Sequence, residues 1–395
     1  MNSENPQSSE GEVIPDFSFK KHVAYLKRSL FMLPHYYTEN DLNRMTLAFF
    51  CLGGLELLGV LDDEISAQNK KDYIDWIYSQ QILPDATDPS LNEYHCGFRG
   101  SPWSGKPFDP NATQTSYQSY DSSNLANTYS ALANLLILGD DLSRVNRDAI
   151  VKTMRHLQTE DGSYIPTYHS IEADLRFTYT ACVISYILND WRGIDIPKAV
   201  DYIRRSQVSI PPYSALISFF LSCPSPSENL QTYDFGIAQS PKQESHGGSI
   251  YCGIASLALL DRLDEGLASK KDTVYWLLSR QISGFQGRAN KPQDTCYSFW
   301  LGAPLQILDS FQFVNEECNR GFLMSTQTTY GGFAKYPDNP PDVLHSYMAI
   351  ASLSMMGEPG FLGLDPMVNV STRVIEHLKT RTVFWKDIGA VPPPK

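Results

Sequence analysis

Two kinds of helix alternate along this chain of 395 residues, and their alternation limits the folds that it can adopt. One kind is amphipathic, with apolar residues on a single face, and occurs at 143–158, 196–207 and 270–281. The other kind is apolar nearly all round, and occurs at 127–138, 177–188, 250–260, 296–308 and 345–356. A helix without a polar face has to be buried on every side. The chain therefore needs an architecture in which one set of helices is enclosed by another.

The alternation repeats at a regular interval. Each amphipathic segment ends in a glutamine, and a turn that bears glycine or an aromatic residue follows it; these glutamines are Gln81, Gln158, Gln207, Gln281 and Gln327. Intervals of 49 positions (Gln158 to Gln207) and 46 positions (Gln281 to Gln327) are typical of stacked helical hairpins. Because an open solenoid would expose one face of its inner helices, we predict a closed arrangement. The predicted fold is all-α, an α/α barrel or toroid with an apolar inner ring and an amphipathic outer ring.

One interval is longer than the others and affects the domain boundaries. Gln207 and Gln281 are 74 positions apart, and the excess lies in residues 208–231. We interpret these 24 residues as an insertion that derives from a retained intron, because removing them restores the regular spacing and their first and last codons can carry intron borders. The alternative is a genuine loop on the outer rim. We expect a single barrel domain over 15–386, with disordered tails at 1–14 and 387–395.

Composition excludes several classes of protein. The net charge of −12 argues against general nucleic-acid binding, which needs a basic surface. Seven scattered cysteines without a CxxC pair fit reduced thiols better than a disulfide framework. The polar N-terminus is no signal peptide, and the apolar runs are too short to span a bilayer. We therefore expect a cytoplasmic protein with no nucleic-acid partner and no membrane insertion.

In such a barrel all inner helices start at the same end, so residues at their starts should converge on one rim. These residues are Arg176, His246, Asp294 with Cys296, and His345. The last three offer one oxygen, one sulfur and one nitrogen, and three protein ligands with an open fourth position are typical of catalytic zinc. The alternative is a capping aspartate, a small buried cysteine and a hydrogen-bonded core histidine.

A second group of polar residues precedes or follows the same helix starts. His246, Arg288, Lys291 and Tyr297 could together hold a diphosphate, favoured by helix N-termini. The alternative is a solvated basic loop. Aromatic residues of the inner helices, namely Tyr179, Tyr251, Phe299 and Trp300, are either core or the lining of an apolar channel, and periodicity does not separate these interpretations.

Three segments carry a family resemblance. ESHGGSIYCGIASLALL (244–260), NKPQDTCYSFWLGA (290–303) and GGFAKYPDNPPDVLHSYMAI (331–350) resemble the β subunits of protein prenyltransferases, and the resemblance extends over residues 19–376. It implies a zinc ion held by Asp294, Cys296 and His345. It also implies a diphosphate site formed by His246, Arg288, Lys291 and Tyr297. The family works as a heterodimer, so a helical α subunit is the expected partner.

Within this family, three positions favour the branch that transfers a geranylgeranyl group (type I). Thr46 stands where the farnesyl enzyme has tryptophan, and Leu344 where it has tyrosine. Lys335 takes the place of a magnesium-binding aspartate, so it joins the diphosphate-binding set and no magnesium requirement is expected. The implied substrates are geranylgeranyl diphosphate and proteins that end in a CaaX motif, mostly with X = Leu, such as Rho-type small GTPases. The implied pocket for isoprenoid and peptide consists of Thr46, Phe50, Arg176, Tyr179, Cys252, Trp300 and Leu344.

Other functions fit less well. A farnesyl- or Rab-type sibling would share the zinc site but differ in its pocket. A terpene cyclase on the same barrel would need an aspartate-rich motif, which is absent from the sequence, and an inverting glycosidase would need a facing pair of carboxylates. A non-catalytic zinc scaffold would have no use for the cations near His246.

Overall fold

The structure is a computed structural model that describes residues 16–102, 121–207 and 234–394. The expected N-terminal tail (1–14) and the insertion at 208–231 lie outside the described residues. The C-terminal tail, expected to be disordered from residue 387, instead makes hydrogen bonds in its described part. Trp191 Nε1 donates to the carbonyl of Val391 (2.8 Å), and Arg262 donates to that of Pro394 (2.6 Å).

Short helices make up most of the described chain. In order, the α-helices are α1 (Phe19–Phe31), α2 (Arg44–Leu57), α3 (Leu61–Glu64), α4 (Ala67–Ser79), α5 (Leu125–Ile137), α6 (Arg147–Leu157), α7 (Leu175–Leu188), α8 (Ile196–Ser206), α9 (Gly247–Leu259), α10 (Leu263–Gly266), α11 (Lys270–Leu278), α12 (Tyr297–Ile307), α13 (Glu316–Thr326), α14 (Val343–Met355) and α15 (Thr372–Arg381). Two 3-10 helices span His35–Asn43 and Phe311–Phe313. Three antiparallel pairs of two-residue strands complete the set: Gln81–Ile82 with Gly97–Phe98, Phe333–Ala334 with Pro341–Asp342, and Leu364–Asp365 with Val370–Ser371.

Six of these helices form a closed inner ring. Each contacts the next in the order α2, α5, α7, α9, α12, α14, and α14 returns to α2. Their residues are almost entirely buried, as the absence of a polar face predicts. Helices α1, α4, α6, α8, α11 and α13 precede them in the chain and form the outer ring. The α/α barrel predicted from the alternation is confirmed.

The starts of the inner helices are joined around one end of the barrel, which we call the rim. At five of the six junctions, an N–H at or just before the start of one inner helix donates to a carbonyl in the turn that precedes the next inner helix. Examples are Leu125 N to Pro166 O (2.8 Å) and Gly247 N to Gly287 O (2.8 Å). At the last junction Val343 N donates to the hydroxyl of Tyr37 (3.1 Å), which closes the circle. These bonds satisfy N–H groups that have no partner within their own helix.

The repeated glutamines join the outer helices. The amide of Gln158 accepts from Asp195 N (2.7 Å) and donates to Asp195 O (3.1 Å), so the end of α6 is tied to the start of α8. Gln281 does the same at Asn315, with distances of 3.0 and 2.8 Å. Gln327 ties α13 to the N-terminal helix by accepting from Ser18 N (2.9 Å) and donating to Asp16 O (3.0 Å). The amide is required because it supplies a donor and an acceptor together.

The barrel has six hairpins, one more than the five marked by glutamines. The additional hairpin consists of α1 and α2, and no glutamine stands at the end of α1. Phe31 and Met32 occupy that place and are exposed to 88% and 67%. They border an apolar groove of about 730 Å³ between α1, the first 3-10 helix and α4. The glutamine pattern alone therefore missed this hairpin.

A short loop closes the end opposite to the rim. Residues 366–369, which we call the floor loop, connect the last pair of strands and lie near the ends of the inner helices. Ser371 Oγ donates to Glu56 in the last turn of α2 (2.6 Å), and Pro366 and Met367 lie beside the ends of α9 and α12. Three tyrosines of the inner helices donate to successive carbonyls of the floor loop: Tyr179 to Met367 (3.0 Å), Tyr129 to Val368 (2.8 Å) and Tyr347 to Asn369 (2.8 Å). The floor loop thus closes the end of the barrel opposite to the rim.

A search of the described helices for one with the length and apolar character of a membrane span found none.

Candidate active site

Three side chains at the rim bring an oxygen, a sulfur and a nitrogen together. Asp294 and Cys296 precede the first residue of α12, and His345 lies in the first turn of α14. Their ligand atoms all lie within 4.8 Å of one another, and the distance from His345 Nε2 to Asp294 Oδ1 is 3.2 Å. Adjacent inner helices therefore deliver these residues to one point, as the barrel geometry predicts.

Asp342 orients the histidine of this group. It is the N-cap of α14, where its Oδ1 accepts from His345 N (2.8 Å). Its Oδ2 lies 2.6 Å from His345 Nδ1, which holds a proton on Nδ1 and leaves Nε2 facing Asp294 and Cys296. Sequence reasoning missed this residue, although an aspartate three positions before a candidate ligand at a helix start was a usable signal.

The electrostatics of the three residues reflect burial and mutual contact. Burial raises the pKa of the Cys296 thiol, and the neighbouring Asp294 carboxylate raises it further. Burial alone would raise the pKa of Asp294 too, but hydrogen bonds from His345 and Cys296 lower it. Burial opposes the charged form of His345, whereas the hydrogen bonds to Asp294 and Asp342 raise its pKa to about 9. An enclosed carboxylate, thiol and imidazole in reach of one another fit a zinc ion with one open position.

A second cluster lies beside the first at the start of α9. His246 Nε2 is 3.0 Å from the hydroxyl of Tyr297, the first residue of α12. Arg288 is half-buried and pairs with Glu244 at 2.9 Å, while Lys291 is exposed. Lys335 Nζ lies 3.6 Å from Asp294 Oδ2, beside the first cluster. The structure therefore brings His246 and Tyr297 into direct contact, and the charge of Arg288 acts on both.

Arg176 reaches the same cluster from α7. Its guanidinium makes a forked contact with the buried carboxylate of Asp174 (Nη2 to Oδ2, 2.7 Å) and also pairs with Glu172. Burial lowers the pKa of His246, and the positive charges of Arg288 and Arg176 lower it further. His246 is therefore neutral at neutral pH. Asp174 and Glu244, which hold two of the cations, were not identified from the sequence.

The residues predicted for the isoprenoid and peptide pocket lie on five inner helices. Thr46 faces α5, where its hydroxyl is 3.2 Å from Asn127 Oδ1 and 3.1 Å from Ser130 Oγ. Phe50, one turn along α2, packs against Tyr347 with ring centroids 5.7 Å apart. Leu344 is half-buried beside His345, and Cys252 is buried in α9.

The aromatic residues divide between core and half-buried positions. Tyr251 and Phe299 are fully buried and in mutual contact, with ring centroids 5.1 Å apart. Trp300 is half-buried and packs on Tyr251 at 5.2 Å. Tyr179 is also buried, and its hydroxyl contacts both Tyr251 and the floor loop. Of these four aromatic residues, Trp300 has the most exposed side chain.

Comparisons with known proteins agree with the α/α barrel. A sequence model described as the prenyltransferase alpha-alpha toroid domain matches residues 17–209 and 223–370, and the break falls inside the predicted insertion. The chain is 39% identical to the geranylgeranyl transferase type-1 subunit beta of Dictyostelium discoideum, over 90% of this chain and 95% of that protein. It is 37% identical to the protein of the same name from Arabidopsis thaliana, over 89% of each chain.

More distant relatives agree on the fold. Identity to the protein farnesyltransferase subunit beta of Schizosaccharomyces pombe is 26%, over 86% of this chain and 78% of that one. Among solved structures, Candida albicans protein geranylgeranyltransferase-I complexed with GGPP aligns with a TM-score of 0.74 and 26% identity, over 93% of this chain and 99% of that chain. The architecture and the order of its elements are therefore shared along nearly the whole length.

Proposed function

The chain belongs to the protein prenyltransferase β-subunit family, and we propose that it is the catalytic β subunit of a zinc-dependent protein geranylgeranyltransferase type I. It would transfer a geranylgeranyl group from geranylgeranyl diphosphate to the cysteine of a C-terminal CaaX motif, with X mostly Leu. The observation that carries this proposal is the convergence of Asp294, Cys296 and His345 within 4.8 Å beside a cluster of cations. A cysteine peptide requires a metal site that can bind its thiol, and a lipid diphosphate requires an anion site next to it.

Asp294, Cys296 and His345 would hold the zinc, with Nδ1 of His345 bonded to Asp342. When bound, zinc lowers the pKa of a coordinated peptide thiol, ordinarily about 8.5, so that the sulfur reacts as a thiolate. A sulfur–carbon bond forms at C1 of the lipid while the carbon–oxygen bond to diphosphate breaks. The thiol proton is lost to solvent, and inorganic diphosphate leaves.

The protein's own contribution to this step is electrostatic. His246, Arg288, Lys291 and Tyr297 would bind the diphosphate and meet the negative charge that grows on it as the bond breaks. Such preorganised donors usually lower the barrier more than any other single term. Because the cations and the three proposed ligands stand at adjacent helix starts, C1 and the thiol would also be held in line.

Lys335 would stand in for magnesium. Its Nζ lies 3.6 Å from Asp294 and is half exposed, so it can reach a phosphate oxygen beside the metal site. We expect activity to change little when magnesium is chelated under conditions that spare zinc. Lys335→Asp should create a magnesium requirement. A wild-type enzyme that stops on magnesium removal would show that Lys335 lacks this role.

The lipid and peptide would lie against Thr46, Phe50, Arg176, Tyr179, Cys252, Trp300 and Leu344. Trp300 supports this pocket because it is half-buried and packs on the buried Tyr251 of the neighbouring inner helix. The side chain of Thr46 at the α2–α5 contact is small, and a longer lipid would need the space that a tryptophan there would fill. This is the reason for preferring a geranylgeranyl group over a farnesyl group.

The partners follow from the family. A prenyltransferase α subunit would complete the heterodimer, and CaaX proteins such as Rho-type small GTPases would be the acceptors, in the cytoplasm. We also propose that residues 208–231 derive from a retained intron. Sequencing of the mature transcript tests this, and a message that encodes the segment, with matching peptides from the cell, would refute it.

The experiment that tests the function combines two measurements on the chain co-expressed with an α subunit. Metal analysis should find one zinc per β subunit, and labelled geranylgeranyl diphosphate should be incorporated into a peptide that ends in CaaL. A peptide in which the acceptor cysteine is replaced by serine is the control. Incorporation of farnesyl alone, or none with zinc present, would overturn the assignment.

A further inference from the structure

The phenol of Tyr297 is enclosed by two glycines. An added Cβ at Gly287 would overlap the ring of Tyr297 at Cζ, Cε2 and the hydroxyl oxygen. On the other side, a Cβ at Gly247 would stand 3.1 Å from Cδ1 of the same ring and 2.5 Å from Leu301. Neither glycine has a positive φ, so it is space and not backbone conformation that requires them. The backbone bond from Gly247 N to Gly287 O (2.8 Å) joins the two walls of this slot.

The hydrogen bonds of His246 determine whether its ring donates to Tyr297 or accepts from it. Gly248 N donates to His246 Nδ1 (3.0 Å), and a backbone N–H can only donate, so Nδ1 carries no proton. The proton of the neutral ring is therefore on Nε2, which donates to the hydroxyl oxygen of Tyr297 at 3.0 Å. The hydroxyl proton of Tyr297 is then left for another acceptor.

We propose that Gly247 and Gly287 are positioning residues that hold Tyr297 against His246, so that its hydroxyl donates to the leaving diphosphate. This rests on the proposed function for the identity of the anion. The chain of donation runs from Gly248 N–H through His246 to Tyr297 and ends at a phosphate oxygen. If the ring of Tyr297 is displaced from the slot, its hydroxyl loses the contact with His246 and is no longer oriented towards the anion.

The test measures the binding of inorganic diphosphate by calorimetry, on the full chain in complex with an α subunit. Tyr297→Phe fills the slot but removes the donor, and should weaken binding about tenfold, as for a hydrogen bond to a charged group. Gly287→Ala should weaken it by a similar factor with normal zinc content. The control is Gly363→Ala, where an added Cβ meets nothing nearer than 3.4 Å, and it should bind as the wild type does.

A double-mutant cycle separates positioning from a general structural effect. In the Tyr297→Ala background no ring occupies the slot, so Gly287→Ala should change the affinity by less than about twofold. If Gly287→Ala alone fails to fold, the double variant should recover the fold because the overlap is gone. Three results would each overturn the proposal. In the first, the losses of affinity in the two single variants multiply in the double variant. In the second, the double variant also fails to fold, and in the third, Gly287→Ala binds diphosphate with wild-type affinity.

The outcome is independent of lipid transfer. If no prenyl group is transferred but the cycle is non-additive, only the proposed function fails. If inorganic diphosphate does not bind to the wild type at all, both the proposed anion site and the proposed role of Gly247 and Gly287 are wrong.

Discussion

Two carboxylates, the buried Asp294 at the rim and the half-buried Asp365 at the floor, have pKa values that shift in opposite directions. Burial would raise the pKa of Asp294, but hydrogen bonds from His345 and Cys296 and the charge of His345 lower it. Asp365 is held by the backbone N–H groups of Met367 (3.0 Å) and Val368 (2.9 Å). There burial dominates and raises the pKa.

The inner helices thus carry two kinds of chemistry. At the rim, the side chains of the proposed metal and diphosphate sites converge on one region, which suits a metal ion and an anion. At the floor, the tyrosine hydroxyls and the carbonyls of the floor loop satisfy one another, which suits a closed end. We therefore expect changes at the rim to affect ligand binding and turnover, and changes at the floor to affect the stability of the fold.

The largest expected effect is at the rim. Cys296→Ser should abolish zinc binding and lower the rate of transfer about a thousandfold or more, because it removes a stabilisation worth several kcal/mol. The affinity for inorganic diphosphate should stay within a few-fold, since its donors are other residues. Metal analysis, calorimetry and a transfer assay measure the three quantities.

The comparison requires that this variant keep its fold. The free energy of unfolding of the zinc-free chain should differ from that of the zinc-free wild type by less than about 1 kcal/mol. Normal turnover without bound metal would show that the zinc assignment is wrong. A large loss of stability would show that rim and floor are not separate.

The next effect concerns lipid length. The extra isoprene unit of a geranylgeranyl group has five carbons, worth up to about 4 kcal/mol of burial at ~0.8 kcal/mol per carbon. Thr46→Trp should fill the space at the α2–α5 contact and shift the preference towards farnesyl diphosphate by about a hundredfold. Competition between the two labelled diphosphates measures this shift.

Thr46→Val is the matched control for that prediction. It removes the hydroxyl that contacts Asn127 and Ser130 but keeps the size, so the preference for lipid length should hold. An unchanged preference in Thr46→Trp would place the end of the lipid elsewhere.

The rim could be predicted from the sequence far better than the floor. Helix starts can be located in a sequence with inner and outer helices, and residues such as Asp294 and His345 converge because the barrel is closed. The floor loop has no such signal, because Tyr129, Tyr179 and Tyr347 donate to carbonyls that any residue could supply. Asp342 and Glu244 escaped notice for another reason: they act on neighbours already chosen, and a capping aspartate is common at helix starts.

At the floor, Tyr129→Phe should destabilise the protein without affecting binding. The variant leaves the buried carbonyl of Val368 without its 2.8 Å donor, which costs about 1–3 kcal/mol. Tyr275→Phe is the control, because this tyrosine is 74% exposed and should be neutral. Chemical denaturation measures the cost. Wild-type stability in Tyr129→Phe, or a lost affinity for zinc, would contradict the proposed division.

The smallest effect comes from Asp365, and its sign depends on pH. Because burial raises the pKa of Asp365 above its ordinary value of 3.8, ionisation is less favourable in the folded chain than in the unfolded one. The stability that the protonated form contributes is complete below 3.8 and is lost as the pH rises through the folded value. Asp365→Asn retains an oxygen that can accept from Met367 and Val368 but cannot ionise. It should therefore gain stability over the wild type as the pH rises to neutrality, and the gain should vanish in acid. Denaturation curves between pH 4 and 8 measure this difference. A gain that does not grow with pH would mean that the Asp365 carboxylate is not strained by its burial at the floor.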